Sequence, residues 1–379
     1  MFNIDNFTVY IDNTDISSMV TSMTLYESIH GNLKGTMHID DKLNIFELFF
    51  RGVALTSVRI SYTYFEVPTD IVLYADGVID QIINKQGKTY NVNLISVNNM
   101  NEAVERICGV YSGTSNEILG KLWAQTHGVK NILALDSECS SKGKYVVPNI
   151  SAKEAMLNVV NSSYDKHYTG MFLYQRLVDN GVSRFTSIHD MVHNKFLSAY
   201  YENFRIHSEE ITMNETTGVS STIGSTSNFK LTDYNNNFIS KLSGGMWGQK
   251  ITEIDISETT DKVLPVKEKT DIEITKLKLN PNLYETESSL FSPESLITEE
   301  IISNMKYRLF NTTLLATNVV AVPGIGCGMI TEVAQGEGQI SNTKTDGTYL
   351  IANINHRFIM EDGEMEYSQN IGLVREGLV

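Results

Sequence analysis

The chain of 379 residues contains only three cysteines, Cys108, Cys139 and Cys327, set far apart and without a Cys-x-x-Cys pair. An odd, scattered set argues against a disulfide framework or a cysteine-built metal site and suits folding in a reducing cytosol. No apolar run reaches the ~18–20 residues that a membrane helix requires, so no spanning segment is expected. The opening Met-Phe-Asn-Ile-Asp-Asn has neither the basic n-region nor the apolar h-region of a secretory signal, and none is expected there. Basic residues are also short. Lys and Arg total 30 against 45 Asp and Glu, a net charge of −15 spread along the chain. A nucleic-acid grip needs clustered Lys and Arg, so it is disfavoured. Two readings of the acidity remain, solubility or an acidic channel past which a polyanion slides without sticking.

What is present is ordinary for a globular protein: 41% hydrophobic and 20% charged residues, in a chain long enough for two or three cores. The clearest pattern lies at the C-terminal end. Leu350, Ala352, Ile354, His356 and Phe358 fall at period two and share one strand face. Glu361-Asp362-Gly363-Glu364 supplies a turn, after which Met365, Tyr367, Gln369, Ile371 and Leu373 alternate back. A hairpin is predicted over 346–379.

The first hundred residues also read as strands, at 20–28, 33–40, 55–64, 71–83 and 89–97, with a short apolar helix or turn at 43–50 and a break at Pro68. The last two make a hairpin resembling the C-terminal one. Asp76-Gly77 opens one and Asp346-Gly347 the other, and turn glycines Gly87 and Gly363 precede Tyr90 and Tyr367. Alternation and a glycine turn recur easily, so the likeness leaves internal duplication and coincidence both open.

From 101 to about 170 the period turns helical. Thr114-x-x-Glu117 and Ser151-x-x-Glu154 are capping boxes ahead of apolar stripes through Ile118, Leu119, Leu122 and Trp123, and through Ala152, Ala155, Met156, Val159 and Val160. A hairpin is predicted over 171–188 around Asp179-Asn180-Gly181. Residues 214–228 read as a polar loop, 237–246 as a short helix, 250–256 as a strand and 261–293 as a charged arm with three prolines. Thr298 caps a helix through Leu309, and strands at 313–321 and 328–334 precede the closing hairpin.

Candidate chemistry is sparse. His189 and His193 stand four apart and on a helix could hold a metal, as in a metal-dependent hydrolase. They follow a strand, however, and no third ligand stands near them in sequence. The glycines between Pro323 and Gly328 lack the Lys-Ser/Thr and following helix of a phosphate loop. Cys327 has no His partner suggested by spacing, and His356 lies on an apolar strand face, where a packed, hydrogen-bonded histidine is expected. No enzyme and no cofactor are expected.

Several stretches stand in a telling order: Thr24-Leu25-Tyr26-Glu27-Ser28 with Gly35-Thr36-Met37-His38-Ile39-Asp40, Tyr145-Val146-Val147-Pro148-Asn149, and Gly170-Met171-Phe172-Leu173-Tyr174 with Phe185-Thr186-Ser187-Ile188. Ser243-Gly244-Gly245-Met246-Trp247 with Ile254-Asp255, Val322-Pro323-Gly324, and Tyr349 through His356 follow. In that order they resemble the baseplate hub proteins of contractile-tailed bacteriophages, which are similar to the N-terminal part of type VI secretion spike proteins. The resemblance implies an α+β, mostly β chain with two similar antiparallel β-barrel-like tube domains and an α+β middle domain. The expected bounds are 1–98 for the first tube domain, 99–232 for the middle, 233–260 with 299–379 for the second, and 261–298 for an arm packed with the middle domain.

It further implies a homotrimer in the virion tail baseplate, made in the host cytoplasm. Its doubled domains would give pseudo-sixfold symmetry and join a hexameric tail tube protein to a trimeric central spike protein. DNA would pass only in transit through the lumen, with a tape measure protein and baseplate wedge as further partners. Candidate assembly residues on strands and turns are Gly77, Gly87, Tyr90, Gly245, Trp247, Pro323, Gly324, Gly347, Tyr349, Ile354, His356, Gly363 and Tyr367. A related alternative is a hub-like spike or tail-tip protein of a secretion system or non-contractile phage.

Overall fold

The structure is a computed structural model. It describes residues 2–42, 56–64, 66–84, 87–128, 131–139, 142–166, 169–193, 205–208, 225–226, 228–234, 249–254, 266–267, 286–290, 312–322, 324–334 and 346–375. Gly245, Trp247 and Pro323 lie outside the described residues, as do the helices expected at 43–50, 237–246 and 298–309.

Strands of five or more residues are numbered in chain order. The first group is β1 (Asp5–Ile11), β2 (Val20–Ser28), β3 (Lys34–Asp41), β4 (Thr56–Tyr64), β5 (Val67–Asn84) and β6 (Gly87–Ser96). Then come α1 (Val97–Val104), β7 (Arg106–Thr114), α2 (Ser115–His127), β8 (Lys142–Ser151), α3 (Ala152–Asn161), β9 (Met171–Gln175), β10 (Ser183–Ser187) and α4 (Ile188–His193). Last are β11 (Asn228–Tyr234), β12 (Gln249–Ile254), β13 (Thr286–Leu290), β14 (Thr312–Val320), β15 (Ile330–Ala334), β16 (Gly347–Glu361) and β17 (Glu364–Arg375). The fold is α+β and mostly β.

Two groups of strands share one topology. In the first, β2 pairs β3, β3 pairs β6, β6 pairs β5 and β5 pairs β4, all antiparallel. In the second, β11 pairs β14, β14 pairs β17, β17 pairs β16 and β16 pairs β15, again all antiparallel. The match holds strand for strand in chain order, which a chance pair of hairpins would not produce. The turns agree as well. Asn84 faces Gly87 and Glu361 faces Glu364 across two-residue loops, so Tyr90 and Tyr367 are each the fourth residue of the returning strand. Both tyrosines are buried.

The Asp-Gly pairs do not correspond. Gly347 begins β16, but Gly77 lies inside β5 at a register shift, so Asp76-Gly77 opens no hairpin. An extra residue inserted at a bulge bends a strand without ending it. Likewise Pro68 does not break the run. It pairs with Thr63 beside the β4–β5 turn, where a residue without an N–H costs the ladder little.

β16 joins the two groups. Its residues 347–350 pair β15, whereas 353–359 pair β2 on the same side. The change of partner follows a bulge at Ala352 in the β16–β17 ladder. Phe358, Met365 and Tyr367 therefore pack into the apolar core of β1–β6, while Leu350, Ile354 and Ile371 belong to the core of the second group. The N-terminal residues bridge the groups as well, Phe2 and Asn3 pairing β17 and Asp5–Ile11 pairing β4, both antiparallel.

The stretch expected to be helical from 101 to 170 is interrupted by β7 and β8, an antiparallel pair. Each strand ends on the residue that caps the following helix, Thr114 for α2 and Ser151 for α3. The capping signals were strong enough to mask the β-rich residues before them. Helices α2 and α3 bury their apolar stripes together in a third core with Phe185 and Met171. Within the expected arm, residues 266–267 and β13 pair with β12.

Candidate functional site

The seam between β2 and β16 holds a buried polar chain. In β2, Met23, Leu25 and Glu27 point inward at period two, so a carboxylate takes a core position. Burying an unpaired carboxylate would cost several kcal/mol, and such a group persists only when hydrogen-bonded. Glu27 accepts from the Leu177 amide at 2.8 Å and from the Cys327 amide, with His356 Nε2 at 3.4 Å from its Oε2. Leu177 lies beyond β9, Cys327 precedes β15 and His356 sits in β16. One side chain thus ties three parts of the molecule together.

The chain continues from His356. Its Nδ1 is 2.6 Å from the Tyr367 hydroxyl, which accepts from Gln369 Nε2 at 3.0 Å, and Gln369 Oε1 accepts from the Val322 amide at 3.0 Å. With a proton on His356 Nε2, every link has one donor and one acceptor. The network assigns that tautomer. Burial pushes the Tyr367 phenol well above its ordinary range, with Tyr62 adding to it, so the hydroxyl keeps its proton. Tyr64, which donates to the Ala321 carbonyl at 2.9 Å, stacks edge-on to Tyr367 at 5.0 Å.

Against this seam lies the β9–β10 hairpin with a partly buried ionic cluster, in which Arg176 is buried and its partners half-buried. Asp179 Oδ2 accepts from Arg176 Nε at 2.5 Å and Arg184 Nε at 2.6 Å, and Arg184 Nη1 reaches both oxygens of Asp136 at 2.9–3.0 Å. Burial works to raise the Asp179 carboxyl, but the two arginines outweigh it and hold it below the usual range. Gly326 allows the close approach here. A Cβ on it would stand 2.9 Å from Arg176 Cδ and 3.0 Å from Glu27 Oε1. Gln175 secures the hairpin to the β2–β3 turn, accepting from the Leu33 amide at 3.1 Å and donating to the Gly181 carbonyl at 2.7 Å.

Little of this favours chemistry on a substrate. The buried Cys327 thiol is pushed well above its ordinary range by burial and by Glu27, so it does not supply a thiolate. His189 and His193 do share a face of α4, with rings stacked at 4.2 Å, and His193 Nδ1 lies 2.9 Å from the His189 carbonyl. Among the described residues no group of three His, Cys, Asp or Glu could hold a metal ion. No described helix is long and apolar enough to cross a membrane.

The predicted assembly residues separate into two sets. His356, Tyr367 and Ile354 meet at the seam, with Gly324 in the adjoining turn at φ +74°. Gly363 sits in the β16–β17 turn at φ +86° and Gly87 begins β6 at φ +149°, angles that favour glycine. Tyr349 lies at the far end of β16 under the Arg375 guanidinium, 4.5 Å from its ring centroid. Gly77 and Tyr90 lie on β5 and β6, away from the seam. Glu27, Arg176 and Gln369 had not been singled out. Their signal was a charged or amide side chain at an inward position of an alternating strand, or beside a turn.

No protein-family model matches the sequence, and no curated protein matches it. The fold, however, is that of known tail proteins. A tail protein from Neisseria meningitidis MC58 aligns at TM-score 0.59 with 10% identity over 100% of this chain and 98% of that one. The 43 kDa tail protein of prophage MuSo2 from Shewanella oneidensis aligns at 0.60 with 10% identity, over 98% of each chain. An E. coli type VI secretion system component, described as structurally similar to the T4 bacteriophage tail proteins gp27 and gp5, aligns at 0.52 with 9% identity over 94% of this chain and 73% of that one.

Proposed function

We propose that the chain is a structural baseplate hub of a phage tail, a homotrimer whose two β groups give six quasi-equivalent positions. The observation that carries this is the shared strand order β2-β3-β6-β5-β4 and β11-β14-β17-β16-β15, fused side by side through the β2–β16 pairing. Two like units joined by one seam are half of a repeating contact, and repeating it between chains makes a ring. In this reading the tube domains are residues 1–98 and 228–260 with 299–379, the second starting at Asn228 rather than at the expected 233 so that it holds all of β11; the middle domain precedes it from 99, and 261–298 forms the arm. The fold shared with phage tail proteins supports the tail role.

A threefold ring with sixfold pseudo-symmetry stacks on a hexameric tail tube protein by one face and on a trimeric spike protein by the other, in the virion baseplate. The net charge of −15 suits a lumen that DNA crosses without adhering. The hub acts by main-chain pairing and packing, without catalysis or cofactor. Native mass measurement with negative-stain imaging tests the reading. Annular particles of three chains are expected, and a monomer without annular particles in the presence of its spike partner overturns it.

A further inference from the structure

Within the chain, β2 of the first group lies on β16 of the second. By strand order the counterpart of β2 is β11, and the counterpart of β16 is β5. Among the described residues β11 pairs only β14, on one edge. Among the described residues the β4 side of β5 is paired over 67–75, and the strand continues to Asn84. That further stretch, without a partner strand among the described residues, carries Val78 and Ile82, 40% and 57% exposed. An open edge with exposed apolar side chains invites another strand. We infer that β11 of one copy of this chain pairs antiparallel with the 77–82 edge of β5 on the next copy, repeating the β2–β16 seam between chains. The inference deepens the ring reading above and rests on it.

The registers specify the contact. Gly77 faces Asn93, the seventh residue of β6, and Asn355 faces Asn370, the seventh of β17. Gly77 therefore stands where Asn355 does. Ile95, ninth in β6, pairs Lys34, which pairs Tyr26. Gly372, ninth in β17, pairs Leu315, which pairs Lys230. Lys230 therefore stands where Tyr26 does. Because Tyr26 faces Asn355 across the internal seam, Lys230 of one copy should face Gly77 of the next. Each copy offers one β11 and one β5 edge, so the contact is head-to-tail, and a threefold rotation between copies closes it as a ring.

Both positions accept a cysteine. A Cβ at Gly77 meets nothing within 4 Å, and Lys230 is exposed. Facing residues on antiparallel strands lie about 4.5–5.5 Å apart at Cα, within disulfide reach. Two differently tagged full-length chains, one Gly77→Cys and one Lys230→Cys, are co-assembled and oxidised. A mixed-tag dimer band is expected. The pair Val78→Cys with Lys230→Cys, one residue out of register, points side chains to opposite faces and should give none. Amide exchange on the unaltered chain supplies a second readout, with slowed exchange at 77–82 and 228–230 in the oligomer relative to the diluted monomer. Annular particles that show neither the cross-link nor this protection overturn the inference and leave the hub reading standing. Equal cross-linking of the offset pair also overturns it. A chain monomeric at all concentrations overturns both.

Discussion

Glu27 and His356 meet across the β2–β16 seam, Oε2 to Nε2 at 3.4 Å, with 1% and 2% of their surfaces exposed. The contact joins a strand near one end of the chain to one near the other. It also seats the carboxylate that holds the Leu177 and Cys327 amides.

Replacing Glu27 should therefore loosen the seam and the hairpin together. Glu27→Ala leaves two buried amides and an imidazole without their acceptor, a loss of roughly 3–5 kcal/mol. Glu27→Gln keeps one acceptor oxygen and should cost less. Urea unfolding of both variants checks the order. Equal stability of Glu27→Ala and the parent would remove the keystone role.

Tyr367→Phe keeps the ring stacking and deletes only the hydroxyl between Gln369 and His356. A loss of about 1–3 kcal/mol is expected because a buried acceptor, His356 Nδ1, and a buried donor, Gln369 Nε2, are both stranded. Thermal unfolding measures it, and an unchanged midpoint would mean the hydroxyl is dispensable.

The Gly328 backbone, at φ +79°, favours glycine, and an added Cβ would strike the Tyr174 hydroxyl. Gly328→Ala should destabilise by more than the ~1 kcal/mol that the backbone angle alone costs. Shortening the obstacle in Gly328→Ala/Tyr174→Phe should restore part of the loss. If the double variant is no better than the single, the collision is not the cause.

Alkaline pH should unfold the chain progressively. Burial pushes the Tyr174 phenol up to about 12 and raises Tyr62 and Tyr367 further. Above the unfolded phenol value near ~10, the unfolded state loses these protons first, so stability is full below that pH and falls as pH rises. Each such tyrosine contributes a slope of up to ~1.4 kcal/mol per pH unit. Urea midpoints between pH 9 and 12 test this, and a flat profile above about pH 10 would contradict the buried-phenol assignment. At the acid end the sign reverses. Asp179, held low by Arg184 and Arg176 against burial, contributes stability above the usual carboxyl range that is lost as pH falls through it.

The sequence by itself determined the local elements with strong period and punctuation. The β16–β17 hairpin, the caps at Thr114 and Ser151 and the apolar stripes of α2 and α3 all follow from spacing within about twenty residues, the range over which backbone periodicity acts. Alternation alone also placed His356 as a packed histidine. The likeness of the two hairpins was visible, but its Asp-Gly pairs misled, because Gly77 serves a bulge inside β5.

Only the tertiary structure decided which strand lies beside which. That β2 pairs β16 depends on residues more than 300 positions apart, and no local pattern encodes a partner. The equivalence of β2-β3-β6-β5-β4 with β11-β14-β17-β16-β15 is likewise a property of pairing, not of residue identity. The same holds for Glu27, a solvated carboxylate in sequence terms, which became the anchor of the seam once folding removed water from around it and brought the Leu177 and Cys327 amides to its oxygens.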